Sequence, residues 1–508
     1  MPVTIDGDRL QLEEFLRVAR GRETVRLKKT AVRKVEKCRK TLDEFLETGI
    51  PYYGINTGFG ALAAKHIEKE NLKKLQRNLI RSHSSGVGEC LAEEIVRGVM
   101  LLRANVLAKG FSGVRRELVQ FLIEMLNRGL IPQIPEKGSV GASGDLAPLA
   151  HLSLSMIGEG EIKYRGRVMP SAEAMKQAGL KPVELQEKEG LALINGTQVM
   201  TAIAIFNLLE GEKLAKIADI AGALTLEALL GSLSPFADDI QRVRPHPGQT
   251  ESARNIRNLV RGSPLWKSHR GKGKVQDPYS IRCIPQVHGA IRDTLRFVRR
   301  TLEIEANSAT ENPLIFPEKK AILSGGNFHG EPVALAMDFL GIAITELGNI
   351  SERRIDRLVN PPAQTGLPQF LIVDNGLNSG FMIVHVTAAA LTSENRALSH
   401  PATVDNIPTS ANQEDHVSMG TIAARKTREI VRNCKHILAI ELMAAMQAID
   451  FHDHPSSKIL ETIKQTVRRK VPFLTEDERM DVHLGRMVRM IENDALFAPF
   501  GRARFKLQ

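Results

Sequence analysis

Apolar positions recur along this chain with the period of a helix. In 92–110, "AEEIVRGVMLLRANVLAKG", Ile95, Val99, Leu102 and Val106 return every three or four residues with charge on the opposite side, which predicts an amphipathic helix. Residues 30–48 read the same way, with Val32, Val35, Leu42 and Phe45 on one stripe. Three longer stretches, 196–233, 332–359 and about 410–450, carry small or apolar residues on several sides. Helices of that length and character are buried in a bundle, or in an oligomer that shares one. Strand signals are short. Residues 3–10, with Asp6-Gly7 at the centre, predict a hairpin, and 161–170, "EIKYRGRVMP", predict another that turns at Arg165-Gly166. Strands do not alternate with helices, so no parallel α/β sheet is expected. The reading is a mostly α fold: a smaller, loop-rich N-terminal domain over 1–195, then a long-helix bundle and C-terminal helical domain over 196–508.

The breaks at 52–60, 132–144, 244–278, 323–332 and 360–368 are polar or rich in Gly and Pro, and most hold conspicuous polar or aromatic side chains. A rigid scaffold carrying function on its connections has this form. Composition then acts by exclusion. A hydrophobic content of 43% over 508 residues is enough for a sizeable core. The apolar-rich region 200–233 is interrupted by Glu210, Glu212, Lys213, Lys216, Asp219 and Glu227, so no membrane span and no membrane partner are expected. The opening "MPVTIDGDRL" has no apolar run after a basic start, which argues against a secretory signal. Cys38, Cys90, Cys283 and Cys434 lie far apart with no C-x-x-C pair, which points to a reduced, cytoplasmic setting and to no metal site. The net charge of +11 raises the question of nucleic acid. Yet basic and acidic residues are interleaved and aromatics make up only 5%, so no nucleic-acid partner is expected. The segment 268–283, "SHRGKGKVQDPYSIRC", reads as a flexible loop with a turn at "QDPYS".

The stretch 138–151, "GSVGASGDLAPLAH", carries the strongest chemical signal. A nucleophile elbow needs G-x-S-x-G, and here Asp145 stands where the second glycine belongs. The Walker pattern is absent, and no clear strand precedes the glycines as a dinucleotide fingerprint requires. A tight turn with Asp145 as N-cap of the following helix fits, with Pro148 tolerated in the first turn, but it does not explain Ala-Ser-Gly. Ring closure does. Glycine lacks Cβ, so the Gly144 nitrogen can reach the Ala142 carbonyl. Loss of water, the Ser143 hydroxyl included, then leaves a 4-methylidene-imidazol-5-one (MIO) with an electrophilic CH₂. The positive pole of a helix would stabilise negative charge developing on that ring.

With this stretch the sequence resembles the aromatic amino acid ammonia-lyases, whose electrophile forms autocatalytically from Ala-Ser-Gly. The resemblance runs through "YYGINTGFG", "RSHSSGVGE", "LALINGTQ", "VQDPYSIRC", "SGGNFHGEP" and "TSANQEDHVSMG", in the family's order, with Gly330 in place of an expected alanine. It implies a fumarase/aspartase-like helical fold and a homotetramer whose active sites are shared between subunits. The implied reaction is elimination of ammonia from an amino acid, L-histidine, to give trans-urocanate, with no dissociable organic cofactor. The substrate amine would add to the methylidene carbon of the ring made by Ala142, Ser143 and Gly144, and Tyr53 would take the β-proton. Arg282 would grip the carboxylate by paired hydrogen bonds. Tyr279 would assist ring formation or proton handling, Asn195 and Gln276 would supply polar contacts, and Phe328 would pack on the substrate or ring. His83, with Ser82 beside it, and Glu414 would pair with the two nitrogens of an imidazole, which a site built for apolar rings cannot do.

Three alternatives stay open at this stage. One is a tyrosine ammonia-lyase or aminomutase with the same electrophile. Another is the fumarase-aspartase class, whose G-S-x-x-M-P loop is absent here. The last is a non-catalytic helical scaffold, against which the combination of Tyr53, Ser143, Arg282 and Glu414 argues.

Overall fold

A computed structural model describes the chain apart from residues 1, 63, 270–274 and 504 and the side chain of 502. The basic half of the segment expected to be flexible lies outside the described residues. Long helices dominate, at Gln198–Ala228, Ile284–Glu305, Glu331–Val359 and Gly420–Ile449. Among the described residues, strands form four separate sheets of two or three members. The last long helix begins ten residues later than the apolar pattern suggests. Ser410, Ala411 and Asn412 take left-handed backbone angles with φ of 51°, 53° and 65°, which end any helix there and make 409–414 a tight turn.

The contacts group the chain into two compact units, whereas the sequence reading divides it after residue 195. One unit is Met1–Phe206 with Arg299–Asp338 and Pro401–Arg425; the other is Asn207–Val298, Phe339–His400 and Lys426–Gln508.

In the first unit the helix Glu93–Ala108 is buried on nearly every side. The apolar stripe is inside as expected, but so are Arg97 and Arg103, which the sequence assigned to an opposite, charged side. Their guanidinium groups stay inside because backbone carbonyls accept from them, Val18 and Leu126 for Arg97 and Asn195 and Ala192 for Arg103. In the Lys29–Glu47 helix Val35 and Leu42 are buried, with Val32 and Phe45 half-buried beside them. The 161–170 hairpin forms as predicted, Glu161–Tyr164 against Arg167–Pro170. The hairpin at Asp6-Gly7 does not form. Val3–Ile5 instead pairs in parallel with Val25–Leu27, and Gly7 serves a close approach: a Cβ there would lie 2.5 Å from the Lys109 side chain.

In the second unit a buried ionic network stands among the long helices. Asp219 accepts from His288 (2.7 Å), Arg292 (2.6 Å), Ser252 and Asn255 (2.8 Å each), while Arg354 holds Glu441 at 2.5 and 2.8 Å. Burial alone would raise the Asp219 carboxyl, but Arg292 and His288 overcome it and hold it well below the usual carboxylate range. On the surface of this unit lies an apolar cavity of about 680 Å³, lined in part by Phe297, Phe339 and Ile342. Among the described residues one helix, Glu331–Val359, is long and apolar enough to cross a membrane, and 72% of its most apolar window is buried inside the fold.

Candidate active site

The predicted electrophile loop sits in the first unit, beside the starts of three helices. The helix Leu146–Met156 begins directly after it, and the first residues of Gln198–Ala228 and Gly420–Ile449 press on it. Asp145 stands at the N-cap position of the first of these, but its side chain does not cap that helix. Its Oδ2 accepts instead from the backbone N–H of Val199 (2.8 Å) and Met200 (2.9 Å), and its Oδ1 from Thr421 Oγ1 (2.5 Å). The expected local cap is thus corrected to a non-local one, since a fully buried carboxylate takes whichever donors the packed chain brings to it. Burial pushes the Asp145 carboxyl up to about 6, against the three hydrogen bonds that favour its charged form.

Glycine is obligatory at two points of the loop. Gly144 has φ +75°, and a Cβ on it would lie 2.2 Å from the carbonyl oxygen of Gly196. Gly141 has φ +76°, and its Cβ would lie 2.2 Å from Ser418 Oγ. Backbone bonds close the seam: Asp145 N–H donates to the Gly196 carbonyl (2.7 Å) and Gly196 N–H to that of Ser143 (3.4 Å). Met419 N–H donates to the Val140 carbonyl at 2.9 Å. Ala142-Ser143-Gly144 therefore lies in a cradle without room for another side chain at 144 and close to positive helix poles. Those are the conditions the ring chemistry requires.

Ser143 Oγ donates to Glu414 Oε1 at 3.2 Å, and Thr409 Oγ1 donates to Glu414 Oε2 at 2.8 Å. The tight turn at 409–414 is what presents this carboxylate. Both residues line a cavity of about 230 Å³ together with Ser82, His83 and the 138–147 loop. His83 ends the helix Leu72–His83, and its Nδ1 lies 2.9 Å from the Leu79 carbonyl. A carbonyl can only accept, so Nδ1 carries the proton and the neutral ring presents Nε2 as an acceptor. Burial lowers the pKa of His83, opposed by the Leu79 carbonyl and by Glu414.

The other expected residues divide. Tyr53 does not line that cavity; its hydroxyl accepts from Gly60 N–H at 3.2 Å. Asn195 is buried one residue before the Gly196 seam, with its amide oxygen engaged by Asn312 N–H at 2.9 Å. Phe328, also in the first unit, is half-buried on the loop before Glu331–Val359. Gln276, Tyr279 and Arg282 belong to the second unit. Gln276 is exposed, Tyr279 is 71% exposed, and the Arg282 guanidinium lies 4.5 Å from the Tyr279 ring centre. Arg282 Nε is itself buried and makes no hydrogen bond.

The sequence reading missed the support beneath the loop. Arg103 reaches the Asn195 carbonyl (3.0 Å), Gln198 Oε1 (2.5 Å) and Glu311 Oε2 (3.1 Å), fixing the segment that carries Gly196. Its burial pushes the guanidinium down to about 10, with Glu311 opposing. No local spacing announces these partners; a charged residue within a nearly all-apolar helical stretch is the one signal that could have found Arg103.

Comparison with known proteins bears on this arrangement as a whole. The family model for aromatic amino acid lyases matches residues 10–469. A histidine ammonia-lyase of Alkaliphilus metalliredigens is 55% identical over 492 residues, 97% of each chain. The crystal structure of histidine ammonia-lyase from Trypanosoma cruzi is 42% identical with a TM-score of 0.92, covering 99% of this chain and 95% of that one. Tyrosine aminomutase from Streptomyces globisporus is 40% identical with a TM-score of 0.94, covering all of both chains.

Proposed function

The chain belongs to the aromatic amino acid lyase family, and on that premise we propose that it is a carbon–nitrogen lyase that removes ammonia from L-histidine to give trans-urocanate. The observation that carries the substrate choice is the pairing of a carboxylate, Glu414, with a neutral imidazole, His83, on the walls of the cavity that holds Ser143. Glu414 can accept from a substrate imidazole N–H, and His83, through Nε2, can accept from another donor of the substrate. An apolar aromatic ring offers Glu414 no N–H to accept and forfeits the contact that reads the imidazole, which discriminates against it.

Ala142, Ser143 and Gly144 would form the MIO ring, which supplies an electrophilic methylidene carbon to which the substrate amine can add. Everything else falls to ordinary side chains. The backbone donors and helix poles around 140–145 favour negative charge at the ring position. Tyr53 is assigned the β-proton. Arg282 holds the substrate carboxylate, and its unpartnered Nε supports a charged ligand there. Tyr279 handles a proton near the ring. Asn195 steadies the ring through the Gly196 seam, Gln276 adds a polar contact, and Phe328 packs on the substrate.

A homotetramer with shared sites fits the surface of the second unit. Phe297, Phe339 and Ile342 are 48%, 45% and 42% exposed around an apolar cavity, where a second copy would cover them. The four free cysteines agree with a cytoplasmic enzyme.

The test is appearance of ultraviolet absorbance from urocanate with L-histidine, with L-tyrosine and L-phenylalanine run in parallel. Turnover of histidine alone is the expected result; preferential turnover of tyrosine would overturn the substrate assignment. The likeness to tyrosine aminomutase gives a second reading, in which the amine is added back at the β-carbon. Chromatography of the products distinguishes the two, because only the aminomutase yields a β-amino acid.

A further inference from the structure

Outside the residues used so far, His329, Glu331 and His416 bring one ligand atom each within 4.8 Å of one another, the one such cluster among the described residues. The two imidazoles are nearly parallel, at 5° with ring centres 5.7 Å apart. Neither nitrogen of His329 is firmly engaged. Nδ1 accepts from Glu331 N–H at 3.4 Å, and Nε2 lies 3.4 Å from the His416 carbonyl. Glu331 Oε2 is a buried atom with no hydrogen-bond partner. A carboxylate oxygen withdrawn from water without a donor is costly, so the place calls for a cation. The start of the Glu331–Val359 helix accounts for an acidic residue at 331, but not for two imidazoles beside it.

We propose that His329, Glu331 and His416 form a divalent-metal site that clasps the 401–419 loop to the beginning of the Glu331–Val359 helix. Two imidazoles and one carboxylate suit a borderline ion such as Zn²⁺ or Co²⁺ and suit Mg²⁺ or Ca²⁺ poorly. Tetrahedral ligands about 2.0–2.1 Å from the metal stand roughly 3.3 Å apart, so side-chain rotation has to draw the three inward by about an ångström. His416 lies two residues after Glu414, so the clasp restrains the turn that presents the substrate-reading carboxylate. The metal itself does not depend on the proposed reaction.

The test uses the full-length protein freed of metal by chelation, without histidine, which itself binds these ions. Co²⁺ is added and the visible ligand-field absorption followed, and Zn²⁺ is then used to displace it. One equivalent of Co²⁺ with a low-symmetry spectrum is expected, and affinity falls by ~10–100-fold or more in Glu331→Gln and in His416→Ala. Cys90→Ser, which removes the exposed thiol as a rival ligand, leaves binding unchanged. Hydrogen exchange of 401–419 slows with Zn²⁺ in the parent and not in His416→Ala. Absence of stoichiometric binding, binding that survives both ligand substitutions, or bound metal with no effect on exchange of that loop overturns the proposal.

Discussion

The loop around Ser143 and the turn Tyr279–Arg282 serve the same proposed reaction and are built in opposite ways. The loop is locked from within its own unit: Gly144 abuts Gly196, Asp145 takes three donors, and Ser143 donates to Glu414. The Tyr279–Arg282 turn shows a tyrosine 71% exposed and an arginine with a buried, unpartnered Nε. One chain thus carries a closed half, proposed to make and hold the electrophile, and an open half whose arginine keeps a buried Nε without a hydrogen bond. Preorganised groups belong where bonds change, and capture groups can be completed on binding.

The largest expected effect comes from breaking the closed half. Ser143→Ala keeps the β-carbon but removes the hydroxyl whose loss as water makes it a methylidene, so near-ultraviolet absorbance from the ring should vanish and urocanate formation should fall to background; an intact chromophore rules the ring out. If sites are shared between subunits, refolding Ser143→Ala together with Arg282→Lys should restore part of the activity, and no restoration would place each site within one chain.

Glu414→Ala should lower kcat/KM for histidine by ~10²–10³-fold while leaving the melting temperature nearly unchanged, because the carboxylate lies on a cavity wall. Equal turnover would sink the histidine assignment. In the open half, Arg282→Lys should cost ~10–100-fold in kcat/KM, the worth of one charge-assisted hydrogen bond, chiefly through KM. A change confined to kcat would move Arg282 from capture to chemistry.

The smallest effect concerns Asp145. Its folded pKa of about 6 lies above the ordinary value of 3.8, so the folded protein binds the proton more tightly than the unfolded chain. The stability contributed by Asp145 is therefore fully present below about pH 4, declines as pH rises through the window from about 4 to 6, and is lower by on the order of 3 kcal/mol above it. Asp145→Asn keeps one acceptor for Val199 and Met200 and can donate to Thr421. It should flatten that slope in chemical unfolding measured from pH 4 to 7, and an unchanged slope would show that Asp145 stays ionised throughout.

Much of this was legible in the sequence because the chemistry sits on loops punctuated by glycine. Gly141, Gly144 and Gly196 mark backbone that no other residue could follow, and the long helices declare themselves by apolar residues on all sides. What stayed hidden depends on partners distant in the chain. Asp145 looked like a local cap and ties residues 199, 200 and 421 instead. Asp6-Gly7 looked like a hairpin because the competing strand, Val25–Leu27, gives no local sign of pairing with Val3–Ile5. Arg103 looked like a charged face of its helix because its acceptors come from residues 192–198 and 311. The His329, Glu331 and His416 cluster gives no local sign because His329 and His416 are 87 positions apart.

The single carboxylate of Asp145 joins the first turns of helices of 31 and 30 residues to the residue that follows the Ser143-Gly144 pair. A substitution that displaces the first turn of either helix, at 198–200 or 420–421, should move the loop with it through that carboxylate. Attempts to alter the enzyme by varying the loop alone work against geometry fixed elsewhere; variation at 144–145 has to be paired with variation at 196–200 and 418–421.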